Sequence, residues 1–92
     1  MYVLDKLLLV IYLSKDGTRW RIEAIKKNTD NLEYRILAPL EWRGASEQDL
    51  QKITGVSDVL FCHASGFLCA AKTREGAEKI AQQIINQQHN LV

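Results

Sequence analysis

Residues 9–24, LVIYLSKDGTRWRIEA, decide the fold. Asp16-Gly17 is a two-residue hairpin signal, because both central positions of a type I′ turn need positive φ and this pair accepts it. With that turn as the register, Leu13 faces Trp20, Ile11 faces Ile22 and Leu9 faces Ala24, whereas Tyr12 faces Arg21 and Val10 faces Glu23. One face of the ribbon is then wholly apolar, and a slip by one residue would turn that face to water. The first strand is apolar on both faces, which predicts a central place in its sheet. Arg21 and Glu23 mark the second strand as partly solvated.

Beyond this ribbon, residues 28–31 read as a polar turn. Leu32, Tyr34 and Ile36 then alternate with Glu33 and Arg35 as a third strand that ends before Pro39 and completes a meander. Ser46 with Asp49 three residues on resembles a capping box, Leu50 and Ile53 supply an apolar stripe, and Gly55 fits the position just past a helix end. Residues 59–63 and 67–71 read as two more strands around Ala64-Ser65-Gly66. Thr73 caps a last helix whose Ala77, Ile80, Ala81, Ile84 and Ile85 share one face. The order βββ-α-ββ-α predicts an α+β domain: a mixed or antiparallel sheet of about five strands with two helices, the longer one burying its Ile stripe against the sheet.

The 92 residues form one domain, 1–92, with no linker, repeat or low-complexity stretch and a modest core. Lys and Arg number 12 against 11 Asp and Glu, so a net charge of +1 excludes a global field for nucleic acid and leaves local contacts only. The apolar run 7–13 is far shorter than the roughly 20 residues a spanning helix needs. It runs into Asp16-Gly17 without a small-residue cleavage site, so a cytoplasmic protein that meets no membrane is expected. Cys62 and Cys69 are an even pair, but a chain with 47% apolar residues needs no staple, and two reduced thiols are expected. Cys62, His63, Cys69 and His89 have ligand chemistry without the C-x2-C or H-x3-H spacing of a zinc module. Neither metal nor cofactor is expected on this chain.

The string Phe61-Cys62-His63-Ala64-Ser65-Gly66-Phe67, followed by Lys72-Thr73-Arg74-Glu75-Gly76-Ala77, is more specific than fold-making demands. Together with Thr18-Arg19-Trp20-Arg21-Ile22 and Trp42-Arg43-Gly44, it resembles the C-terminal lobe of the melanocyte-proliferating-gene family, metal-dependent hydrolases and exonucleases related to the DHH phosphoesterases. The resemblance runs from about Gly17 to about Ile85. In that family a longer N-terminal lobe carries the His and Asp clusters that hold two metal ions, and this chain has no acidic pair beside either histidine. The pattern also departs after Phe67: the family implies an apolar residue and then paired glycines, and this chain has Leu68, Cys69 and Ala70, whose side chains fill space that glycines leave open.

Three places carry binding chemistry. His63, Ser65 and the N–H of Gly66 can make a donor-rich concavity for a phosphate or carboxylate oxygen; the plainer alternative is a histidine that hydrogen-bonds its own turn. Lys72, Thr73 and Arg74 put two cations at a helix start, where free N–H groups and the macrodipole favour anions; the plainer alternative is Thr73 as a simple cap, with Glu75 offsetting the field. Arg43 beside Trp42 can pair and stack with a nucleotide, unless Trp42 plugs the core and Arg43 ties its loop to a carboxylate. The first two places stand at opposite ends of one hairpin, about 13 Å apart at strand rise. Charge ranks the helix start above the His63 turn.

The expected protein is a noncatalytic substrate- or nucleic-acid-binding module. Its expected partners are RNA or a nucleotide phosphate, a separately encoded catalytic lobe, and a second copy in a homodimer. The alternative is a structural domain that self-associates through a sheet edge and has lost its ligand, as the Leu68-Cys69-Ala70 departure suggests.

Overall fold

The computed structural model describes residues 7–28 and 33–89, the side chains of residues 88 and 89 excepted. Strand β1 (Leu9–Leu13) pairs antiparallel with β2 (Trp20–Ala24) in the expected register, from Leu9↔Ala24 to Leu13↔Trp20. The turn is a different one. The Gly17 N–H donates to the Ser14 carbonyl (2.9 Å) and the Ser14 N–H to that of Arg19 (2.9 Å), closing a four-residue loop in which only Gly17 has positive φ, at 75°. Asp16 instead accepts at Oδ1 from the Ser14 hydroxyl (2.6 Å) and from the Thr18 N–H (3.1 Å) and hydroxyl (2.7 Å). Two-residue and four-residue loops differ by an even number of residues, which is why the faces still match.

Helix α1 (Glu47–Thr54) starts at Ser46, whose Oγ accepts from the Asp49 N–H (3.1 Å), and stops at Gly55 in the left-handed region, φ 71°. Leu50 is buried, but Ile53 is 43% exposed, so the expected stripe is one residue wide there. Strands β3 (Val59–Cys62) and β4 (Leu68–Ala71) form the second hairpin, and helix α2 (Arg74–His89) follows. The sheet is wholly antiparallel in the order β1-β2-β4-β3. Ala77, Ile80, Ala81 and Ile84 of α2 pack on Ile22, Val59, Cys62, Cys69 and Ala71, with Leu50 and Trp42 closing the core. The Gln83 side-chain amide donates to the Thr54 carbonyl (2.7 Å) and fastens α2 to the end of α1.

Two expectations are corrected. Among the described residues the sheet has four strands, because the third strand expected around residues 32–36 is one isolated bridge, Lys26↔Tyr34, with Leu32 outside the described residues. After Arg35, whose N–H donates to Ile25 (2.8 Å), the chain leaves the ladder and runs on to the neighbouring turn, where the Ala38 N–H reaches the Gly66 carbonyl (2.9 Å). Burial draws it there: Ile36 and Ala38 are 3% and 1% exposed. The apolar β1 strand is an edge strand instead of a central one, and Val10 and Leu13 stand 42% and 47% exposed.

Cys62 and Cys69 face each other in the β3–β4 ladder, and both thiols are free. The hydrogen bond that its thiol donates to Cys62, followed by burial, holds the Cys69 thiol far above the ordinary range. No helix among the described residues is long and apolar enough to cross a membrane.

Ile80 is fully buried, so Ile80→Val should cost about 0.5–1.5 kcal/mol. Ile80→Asp should abolish the cooperative thermal transition, because an unpaired charge enters the core. The Ser14 hydroxyl, then Thr18, lower the Asp16 carboxyl to a pKa of about 2. Its stabilisation is therefore complete above about pH 4, the value of an unfolded aspartate, and is lost as pH falls through about 2. Thermal midpoints measured across that window should fall less steeply with acid in Asp16→Asn than in the wild type.

Candidate functional site

The second hairpin repeats the loop of the first. The Gly66 N–H donates to the His63 carbonyl (2.8 Å) and the His63 N–H to that of Leu68 (2.8 Å), with Gly66 at φ 82°. His63 therefore pairs with Leu68 as expected, but Ala64 and Ser65 are the central residues of the turn, and the Gly66 N–H is spent within it. His63 Nδ1 accepts from the Ser65 N–H (3.0 Å) and lies 2.9 Å from the Ser65 hydroxyl. Acceptance at Nδ1 assigns the proton of the neutral ring to Nε2. The ring is half-buried, edge-on to Phe67 at 4.8 Å and to Phe61 at 6.3 Å, and Phe67 stacks on Tyr34 at 5.4 Å.

Arg43 completes this end of the domain. Its loop follows a 3-10 turn (Leu40–Trp42) that sinks Trp42 completely, and the Gly44 N–H donates to the Cys62 carbonyl (3.1 Å). The Arg43 side chain lies flat on Gly66, where a Cβ would come within 2.6 Å of Nε. Nε donates to the Ala38 carbonyl (2.8 Å), so the loop is tied to a backbone oxygen and not to a carboxylate. The two terminal nitrogens keep no hydrogen-bond partner among the described residues and are not sealed from solvent. Glycine at 66 thus meets two needs at once, positive φ and room for a guanidinium.

Lys72, Thr73 and Arg74 stand at the far end of β4, and the start of α2 is already filled. Asp58 Oδ2 accepts from the Thr73 N–H (3.2 Å) and from the Thr73 hydroxyl, Thr73 Oγ1 accepts from the Gly76 N–H (3.0 Å), and the Lys72 N–H bonds the Asp58 carbonyl (2.9 Å). A Cβ on Gly76 would fall 2.2 Å from Asp58, so the carboxylate is packed against the helix start itself. Arg74 turns to Glu78 (3.4 Å). The structure therefore brings His63, Ser65, Gly66 and Arg43 together and leaves Lys72, Thr73 and Arg74 apart from them. Sequence reasoning missed Asp58. It lies 15 residues before Thr73, beyond any capping pattern, and only the β3–β4 pairing joins the two.

Residues 2–85 match the family of MYG1 exonucleases, described as Uncharacterised protein family (UPF0160). The human MYG1 exonuclease is 35% identical over 82 residues, 89% of this chain and 22% of the human protein. The MYG1 protein of Dictyostelium discoideum is 39% identical over 69 residues, 75% of this chain and 21% of its own length. The chain thus spans about a fifth of the curated relatives it matches. No solved structure matches it. This α+β domain, with its His63 turn backed by Arg43, belongs to the MYG1 exonuclease family, of which it represents a C-terminal portion.

Proposed function

We propose that this domain is a noncatalytic module that holds a phosphate of a nucleotide or nucleic-acid substrate for a catalytic lobe carried elsewhere. Hydrolysis of the bond itself falls to that lobe. One observation carries the reading: Arg43 is fixed by Nε to the Ala38 carbonyl across Gly66, in the turn that also carries the half-buried His63, and its two terminal nitrogens have no hydrogen-bond partner among the described residues. A guanidinium held in this way loses little freedom on meeting a phosphate, and its planar fork suits two oxygens. His63, whose Nδ1 is taken by the Ser65 N–H, adds an Nε2–H donor. This site ranks above the start of α2, where Asp58 stands in the place an incoming anion would take and Arg74 is engaged with Glu78.

Each charge-assisted bond from Arg43 contributes about 1.5–3 kcal/mol. Arg43→Ala should therefore weaken a 5′-phosphorylated mononucleotide by tenfold or more in a calorimetric titration, with a thermal melt to confirm the fold. Arg74→Ala should change affinity less than threefold. A silent Arg43→Ala beside a tenfold loss in Arg74→Ala would show that the helix start, and not the loop, is the site.

The free β1 edge favours a second reading, self-association. Among the described residues no strand pairs with its outer side, Val10 and Leu13 are exposed, and pairing two such edges would make a symmetric homodimer. Light scattering should then report twice the monomer mass and return to one after Val10→Lys. A monomer mass at every concentration would exclude it.

A further inference from the structure

We propose that the open face of the sheet carries a second contact, a stacking and phosphate subsite for the adjoining nucleotides of a single-stranded nucleic acid, centred on Arg19, Arg21 and Phe61. The registers align Tyr12, Arg21, Ala70 and Phe61 in one row across all four strands, on the face opposite Ile22, Cys69 and Cys62 and so away from the helices. Ala70 is the small member of that row. Above it lies a hollow of about 220 Å³ walled by Arg19, Arg21, Phe61 and Leu68. The same two arginines form one wall of a neighbouring hollow of about 550 Å³, whose other sides are Tyr12, Leu13, Ser14, Lys15 and the acidic Asp16.

Charge and shape together select the occupant. The net charge of the chain is only +1, yet Lys15, Arg19 and Arg21 gather here, and among the described residues none of the three ends in an ion pair. Asp16, which accepts from Ser14 and Thr18, and Glu23, which accepts from the Tyr12 hydroxyl (2.6 Å), stand among them, so three cations against two carboxylates leave this face a formal surplus of one positive charge. Phe61, 38% exposed, offers a flat apolar ring across Ala70 from a guanidinium. Alternating rings and cations on an open sheet take bases by stacking and phosphates by charge, whereas an acidic peptide would leave the ring unused. Phe61 also touches His63 edge-on, and His63 touches Phe67, so a line of rings joins this hollow to the Arg43 loop. The order of subsites along a strand rests on the phosphate reading of that loop; the sheet-face contact itself does not.

Fluorescence anisotropy with an oligoadenylate of about eight nucleotides, compared with a mononucleotide, tests the proposal. Phe61→Ala and Arg21→Ala should each weaken the oligonucleotide about tenfold and leave the mononucleotide unchanged, and Phe61→Tyr should restore binding. Arg21→Ala should also lower the slope of log affinity against log salt by about 0.7. Arg43→Ala should weaken both ligands. If Arg43→Ala is silent while the Phe61 and Arg21 variants still lose the oligonucleotide, the loop reading falls and the sheet face stands. Oligonucleotide binding that ignores both sheet-face variants overturns the proposal. So does a wild type that binds no oligonucleotide, or a dimer that Phe61→Ala dissociates, which would assign the face to a second copy.

Discussion

The peptide of Ala38 is almost fully buried, and a buried peptide must find partners for both its N–H and its carbonyl. It finds them at one place: the N–H meets Gly66 and the carbonyl meets Arg43 Nε. This requirement joins the segment around Ala38 to the His63 turn and presses the guanidinium onto Gly66. The loop that leads into α1 is tied down a few residues on, where the Gly44 N–H donates to the Cys62 carbonyl. A side chain at position 66 would break the arrangement at its centre. The presentation of Arg43 at the surface is thus a by-product of satisfying a buried peptide, and its rigidity comes from the core.

The opposite end of the domain meets the same need differently. A helix start leaves N–H groups that must be satisfied by solvent, a cap or a ligand. Here Thr73 and Asp58 supply the partners from within, and Gly76 makes room for the carboxylate. Asp58 precedes β3, so one side chain joins the strand pair to the helix that covers it. A place rich in binding chemistry on paper is a structural joint in the fold.

Much of the fold was legible because its signals were local. The apolar faces of β1 and β2, the Ser46 cap, the Gly55 stop and the Ile stripe of α2 each lie within a few residues of the position they determine. The loop type at Asp16 was not legible, because a two-residue and a four-residue loop leave the same faces inward. The third strand failed for a different reason: its alternation of Tyr34 and Ile36 serves a bridge and then a core plug, and period alone does not separate these from a ladder. Within the site, His63, Ser65 and Gly66 were readable as a group, whereas the seat of Arg43 on Gly66 and the claim of Asp58 on α2 depend on contacts between distant segments. Ranking the helix start first counted cations and overlooked the carboxylate that tertiary structure brings to them.

The edge position of β1 bears on how the domain behaves before its sheet is complete. The strand LVIYL carries no charge and no proline, features that elsewhere keep exposed edges from recruiting other chains. Its protection comes from β2 on one side and the core beneath, while among the described residues its outer backbone groups meet no other strand of this sheet. Whenever the first hairpin opens, both faces and both edges of this segment become templates for aggregation. The tight acceptor set of Asp16, which holds that hairpin shut at its turn, is therefore a safeguard of solubility as well as a turn.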